Sequence, residues 1–244
     1  MLPSGLDQLI AVYRDGLLND TLPFWIPRAV DRECGGYITS LDRDGSILQT
    51  DKPVWVQGRF AWLLATLYNT VERRPEWLEL ARHGIDFINR YGFDTDGRMF
   101  FWLTRDGRPL RKRRYLFSEA FAVIALAAYG TAAADDGAKQ QALDLFRLIL
   151  TYHTTPGLLP PKVDPATRAM KGLAMPMILT VTAQELRKAV DDPITTEVID
   201  RTIDEIGGWT RLSPEDRRRI MDELPSRAGR LKVRRGGRAG RLQG

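Results

Sequence analysis

A unit that recurs three times restricts this chain more than any other feature. Each copy has an Asp-rich turn between short apolar or aromatic segments, followed at once by a strongly apolar helix. The first copy runs GGYITSLDRDGSIL into TDKPVWVQGRFAWLLATLYN over residues 35–69, and the second runs MFFWLTRDGRPL into RKRRYLFSEAFAVIALAAYG over 99–130. A weaker third copy runs LLPPKVDPATRAM into KGLAMPMILTVTAQELR over 158–187. Asp44 and Asp106 are 62 residues apart, and a similar distance leads on to the turn at Pro165–Thr167. A repeat of this length holds two helices and a loop, so the chain reads as stacked helical hairpins.

The helices alternate in character. Leu6, Leu9, Ile10, Tyr13 and Leu17 form one stripe on an otherwise polar helix. Trp77, Leu80, Ala81, Gly84, Ile85 and Ile88 repeat the pattern, as do Ala142, Leu145, Phe146 and Ile149, and then Val198, Ile199, Ile203 and Ile206. Such helices have a wet side. Between them, Val54–Val71, Phe117–Tyr129 and Leu173–Leu186 are apolar over most of their circumference and must be covered on several sides. Outer, inner, outer, inner is the order of an all-α toroid, although an open helical array obeys the same stacking logic. Pro75, Pro193 and Pro214 fall where a first helical residue belongs, the last two behind Asp192 and Ser213 as N-caps.

Composition narrows the class. The chain of 244 residues is long enough for a substantial core. Its longest apolar run, Phe121–Tyr129, is nine residues, far short of a membrane span. The N-terminus carries acids and no unbroken apolar stretch, unlike a secretory signal. A single cysteine, Cys34, offers no internal disulfide, so a cytoplasmic location is expected. Residues 1–208 hold 25 basic and 27 acidic side chains, whereas 209–244 hold eleven and four. A short charged helix is expected at 209–224 and a disordered Arg/Gly tail at 225–244. Arg/Gly tails neutralise phosphates. Yet no RNA or DNA module precedes this one and it has no aromatic to stack a base, so a nucleic-acid partner is not expected.

D-R-E-C-G-G-Y (Asp31–Tyr37), D-K-P-V-W-V-Q-G-R (Asp51–Arg59), T-R-D-G-R-P (Thr104–Pro109), F-S-E-A-F (Phe117–Phe121) and A-M-P-M-I-L (Ala174–Leu179) occur in one repeat register. Together they resemble the N-acylglucosamine 2-epimerase family over about residues 7 to 206. The resemblance implies an (α/α)6 toroid, incomplete in this chain, with short β-hairpin-like turns. It also implies a sugar or N-acyl-sugar 2-epimerase, or an aldose–ketose isomerase, acting by proton transfer at C2. A small-molecule sugar is the implied substrate and no cofactor is expected. The resemblance admits a nucleotide effector and a homodimer.

Inner helices begin just after the turns, so their first residues line one mouth of the ring. Trp55 and Arg59 are four apart on one helix face. The resemblance places Arg59 in the sugar site, where a guanidinium would hold a carbonyl oxygen and stabilise an enolate. The bland alternative is an ion pair with a nearby acid. Phe117 and Glu119 open the second inner helix at the equivalent place. Glu119 reads as an ion-pair partner for Arg59, a hydroxyl ligand or a structural residue. Met175 opens the third and shapes the pocket. Arg98, on a turn, serves as a contrast to Arg59.

Other signals carry less. D-R-D-G and D-T-D-G have calcium-loop flavour, but Pro53 and Arg105 stand where a bidentate Glu belongs, so they are turns and no metal is expected. Arg111–Arg114 reads as a solvated run or a phosphate patch. The family mechanism uses two histidines, one in an N-P-G-H motif that is absent here. His83 and His153 lie on outer helices and match neither position. The catalytic residues are therefore not identifiable, and the chain as written is expected to be impaired. Two other functions stay open. One is a non-catalytic sugar- or protein-binding remnant, and the other is a toroid glycoside hydrolase, which needs paired carboxylates.

Overall fold

Pro53 ends an extended segment with φ fixed near −65° and hands the chain to the first all-round apolar helix, Val54–Thr70. The computed structural model describes residues 5–113, 115–160 and 172–210, with 164, 167 and 215. Along the chain run α1 (Leu6–Gly16), a π-helical turn (Leu17–Thr21), α2 (Leu22–Ala29), β1 (Ser40–Leu41), β2 (Ile47–Gln49) and β3 (Lys52–Pro53). Then follow α3 (Val54–Thr70), α4 (Pro75–Tyr91), β4 (Trp102–Leu103), β5 (Pro109–Arg111), α5 (Phe117–Ala133), α6 (Asp136–Thr154), α7 (Ala174–Arg187) and α8 (Ile194–Thr210). The protein is all-α, with strands only at the turns.

The expected alternation is present. Helix α4 buries Trp77, Leu80, Ala81, Gly84, Ile85 and Ile88 and turns Glu76, Arg82 and Asp86 to solvent. Helix α5 is buried over much of its circumference, from Ser118 through Ala127 with the exception of Phe121. It packs between α3 and α7, while α4, α6 and α8 cover the outside. Asp135 caps α6 by accepting the Ala138 N–H at 3.0 Å.

The repeat is visible in hydrogen bonds. Gly45 and Gly107 both take φ near +90° and donate back to the carbonyls of Asp42 and Thr104, each at 3.0 Å. Only a residue without Cβ adopts that backbone cheaply. Strand β3 of the first unit pairs with β4 of the second, which pairs with β5, so one small sheet ties adjacent units together at the helix mouths. Asp44 and Asp96 accept the N–H groups of Ser46 and Arg98, the turn chemistry expected of these aspartates.

Three expectations need amendment. The α1 stripe has its period but buries nothing: Leu6, Ile10 and Tyr13 are all more than half exposed. Periodicity reports that a face is apolar, and only a neighbour can cover it. Arg98 is no surface turn residue, since its side chain is buried. Pro75 opens α4 as expected, whereas α8 begins at Ile194, one residue after Pro193. The charged helix expected at 209–224 loses its first two residues to α8, which runs to Thr210. Arg114, Pro165, Ala166 and, Glu215 apart, residues 211–244, with Pro214 and the tail expected at 225–244, lie outside the described residues. No helix among the described residues is long and apolar enough to cross a membrane.

Gly58 sets the closest approach of two inner helices. A Cβ there would lie 2.7 Å from the Phe121 carbonyl oxygen and 2.8 Å from its carbon, both backbone atoms of α5. Helix propensity alone favours alanine by about 1 kcal/mol. Overpacking costs typically about 1–3 kcal/mol, and rigid backbone is the obstacle here. Gly58→Ala is therefore expected to lower stability by up to about 2 kcal/mol. A raised urea midpoint would show that the α3–α5 contact yields freely.

Candidate functional site

Two buried side chains hold the turns against the inner helices, and they are repeat mates. Gln57 in α3 accepts the Tyr37 N–H at 2.7 Å and donates to the Tyr37 carbonyl at 2.8 Å. Glu119 in α5, 62 residues later, accepts the N–H of Met99, itself 62 residues after Tyr37, at 3.1 Å. The same Glu119 oxygen takes Arg98 Nε at 2.6 Å. Arg98 also donates to the Tyr115 carbonyl at 2.5 Å and lies 4.4 Å over the Tyr152 ring. Glu119 thus has Arg98, not Arg59, as its ion-pair partner. The cause is position: it sits on the buried side of α5, where a charge persists only if paired.

A second buried cluster joins the first turn to the second. Lys52 Nζ donates to Asp31 Oδ2 at 2.8 Å, to the Gly35 carbonyl at 2.6 Å and to the Arg105 carbonyl at 2.8 Å. Arg105 clasps Asp31 through Nε and Nη2 at 2.9 and 3.0 Å and reaches Glu33 at 2.9 Å. Burial by itself pushes the Asp31 carboxyl up. The hydrogen bonds from Arg105, Lys52 and the Cys34 N–H outweigh it and hold the group well below the usual carboxylate range. The basic run is engaged as well. Lys112 and Arg113 bond Asp94 at 3.0 and 2.9 Å, and Arg113 bonds Asp96. Lys112, the Thr95 N–H and Arg113 hold Asp94 down at about 2. Arg111 lies 5.2 Å over the Phe101 ring. This arrangement braces a loop through Lys112 and Arg113.

Arg59 differs from Arg98, Arg105 and Arg113. It is exposed, and among the described residues no carboxylate pairs with it. Its guanidinium lies 5.8 Å from the centroid of Phe121, whose ring meets Trp55 at 5.6 Å. Phe121 is the repeat mate of Arg59, as Phe117 is of Trp55, so the two helices present matching stripes. Trp55, Phe117 and Met175 occupy the first or second position of α3, α5 and α7 and are all partly buried. Phe117 meets Tyr115, a non-glycine residue with φ of 55°, edge to face at 6.2 Å. Trp55, Arg59 and Phe121 are brought together directly, and Phe117 and Met175 open the flanking helices.

Phe121 was not singled out from sequence, although the 62-residue spacing from Arg59 was signal enough. Trp62 and Glu185 were also missed: the Trp62 indole N–H donates to Glu185 Oε2 at 3.2 Å, linking α3 to α7. Both histidines are elsewhere. His83 Nε2 lies 3.2 and 3.1 Å from the carbonyl oxygens of Asp31 and Gly36. His153 ends α6, where burial lowers its pKa, with Glu205 opposing and Arg201 assisting.

An arc of inner helices covered by outer ones belongs to the α/α toroids. The chain is a member of the N-acylglucosamine 2-epimerase (GlcNAc 2-epimerase) family, whose profile matches residues 36–206. It is 33% identical over 181 residues to the N-acylglucosamine 2-epimerase of Bos taurus, covering 72% of this chain and 43% of that protein. It is 29% identical over 138 residues to the cellobiose 2-epimerase of Dictyoglomus turgidum, covering 54% of this chain and 34% of that protein. The fold is similar to that of a cellobiose 2-epimerase from Bacillus thermoamylovorans B4167, with a TM-score of 0.72 and 20% identity over 82% of this chain and 55% of the other. The chain spans less than half the length of these curated relatives.

Proposed function

We propose that this chain serves a sugar 2-epimerase as its sugar-holding part, acting on a reducing sugar or N-acyl sugar. The observation that carries the reading is Arg59, the mouth arginine left without a carboxylate among the described residues while Arg98, Arg105 and Arg113 are each ion-paired. Trp55 and Phe121 offer apolar faces on which a pyranose stacks. The Arg59 guanidinium donates to the carbonyl oxygen of the opened sugar and stabilises the negative charge that collects there as the C2 proton leaves. Returning the proton to the opposite face of C2 inverts that carbon. The transfer needs groups that titrate near neutrality on both faces. His83 is held at backbone carbonyls and His153 lies at the end of an outer helix, so neither is a candidate. Glu119 is engaged by Arg98, which removes the carboxylate that a glycoside hydrolase reading required.

The chain is therefore expected to bind sugar without turning it over. N-acetylmannosamine binding, followed by saturation-transfer NMR, should weaken at least tenfold in Arg59→Ala, the scale of a lost hydrogen bond to a charged group. Arg108→Ala, on an exposed turn beside Asp106, should leave binding unchanged. In deuterated water the chain alone should place no deuterium at C2. Equal binding by both variants would remove Arg59 from the site, and enzyme-dependent exchange would show that a base is already present.

A further inference from the structure

Helix α3 carries its aromatic stripe further than the mouth. Trp55, Arg59 and Trp62 are spaced four and three residues apart, so they lie along one face. Each outer helix returns the chain to the same end, so α3, α5 and α7 start together. At 1.5 Å per residue, Trp62 lies about 12 Å and Glu185 about 16 Å from the starts of their helices. The residues meet at that depth, with the indole N–H 3.2 Å from Glu185 Oε2, even though α5 stands between the two helices. The contact therefore passes over the inward face of α5. The repeat places Ile124 and Ala128 there, the mates of Trp62 and Thr66, which are smaller than the phenylalanines at the mouth.

We infer that the Trp62–Glu185 pair is the floor of the sugar site and that Glu185 is a hydroxyl-binding residue of that site. The inference rests on the sugar-holding reading of Arg59 and adds a second end to it. Trp62 is half-buried and its only polar atom is satisfied by the carboxylate, which leaves the ring as apolar surface. Glu185 Oε1 bonds Lys188 at 2.5 Å, so the carboxylate is held in one orientation from both sides. Its side chain keeps 17% of its exposure, while that of Glu119 keeps 1%. A carboxylate oxygen has lone pairs beyond the one that a single donor uses, so Glu185 can accept a sugar O–H without releasing Trp62. A cation above the apolar platform and a fixed acceptor beneath it suit an uncharged polyol with a carbonyl at one end. They do not suit an anionic ligand, which Glu185 would repel.

The test is a titration of the full chain, labelled with 15N, with N-acetylmannosamine. The Trp62 indole signal, assigned through bonds, should shift and saturate with the same Kd that saturation transfer reports. Glu185→Gln keeps an acceptor for the indole but removes the charge, and should weaken binding about tenfold with Tm unchanged. A silent Trp62 signal in a chain whose binding still depends on Arg59 would overturn the floor and leave the sugar-holding reading intact. Wild-type affinity in Glu185→Gln, with or without a lower Tm, would make the pair a structural brace and overturn the inference. A chain that binds no N-acetylmannosamine overturns both.

Discussion

Replacing Lys52 with methionine will destabilise the protein by about 3–5 kcal/mol, the scale of breaking a buried ion pair from one side. Lys52 is fully buried, and its ammonium bonds one carboxylate and two carbonyls while lying 4.6 Å over the Phe87 ring. Methionine fills a similar volume but leaves Asp31 Oδ2 and two carbonyl oxygens short of a donor. Arg105 remains on Asp31, which keeps the loss towards the lower half of that range. The same cluster sets an acid dependence. Asp31 has a folded pKa below its unfolded value, so its contribution is fully present above the unfolded carboxylate range, near 4. It is lost as pH falls from there towards the folded value. Urea unfolding at pH 7 and pH 3 checks both points. The wild type should lose stability between these values, and Lys52→Met should lose less. A cost under 1 kcal/mol at pH 7 would mean that water replaces the ammonium without penalty.

Glu119→Ala should be comparably damaging and should act on stability before it acts on ligand binding. The substitution strands the buried Arg98 guanidinium and orphans the Met99 N–H, whose loss frees the turn that β4 follows. A cost of about 3–5 kcal/mol is expected. The double variant Arg98→Met/Glu119→Leu should cost less than the sum of its parts, because no charge is left unpaired. Had Glu119 been a hydroxyl ligand, the single variant would fold as the wild type does and lose only sugar affinity. A thermal melt compared with N-acetylmannosamine binding separates the two roles.

The comparison of Gln57 with Glu119 shows how much of the site was legible. Both are polar residues inside apolar helices, in one register of the repeat, and both bind the backbone of the residue 20 positions before them. Lined up at 62 residues, they would have read as one structural device used twice. Read alone, Glu119 at a helix mouth admits an ion pair, a hydroxyl ligand or a structural role. Arg59 and Phe121 show the reverse, since the same register pairs a cation with an aromatic ring in a contact that neither residue announces by itself.

Helix order, the alternation of outer and inner helices and the glycine turns at 45 and 107 follow from the chain alone. They depend on apolar period and on backbone sterics, and both act over a few neighbouring residues. Which polar residues serve the scaffold and which remain available to a ligand was settled by tertiary contact. Lys52 meets a carbonyl 53 positions away, and Trp62 meets a carboxylate 123 positions away. Burying a charge is tolerable only where such a partner arrives. The partner's arrival depends on how hairpins stack, so the engagement of Arg98, Arg105 and Arg113 by carboxylates could be read only from the fold.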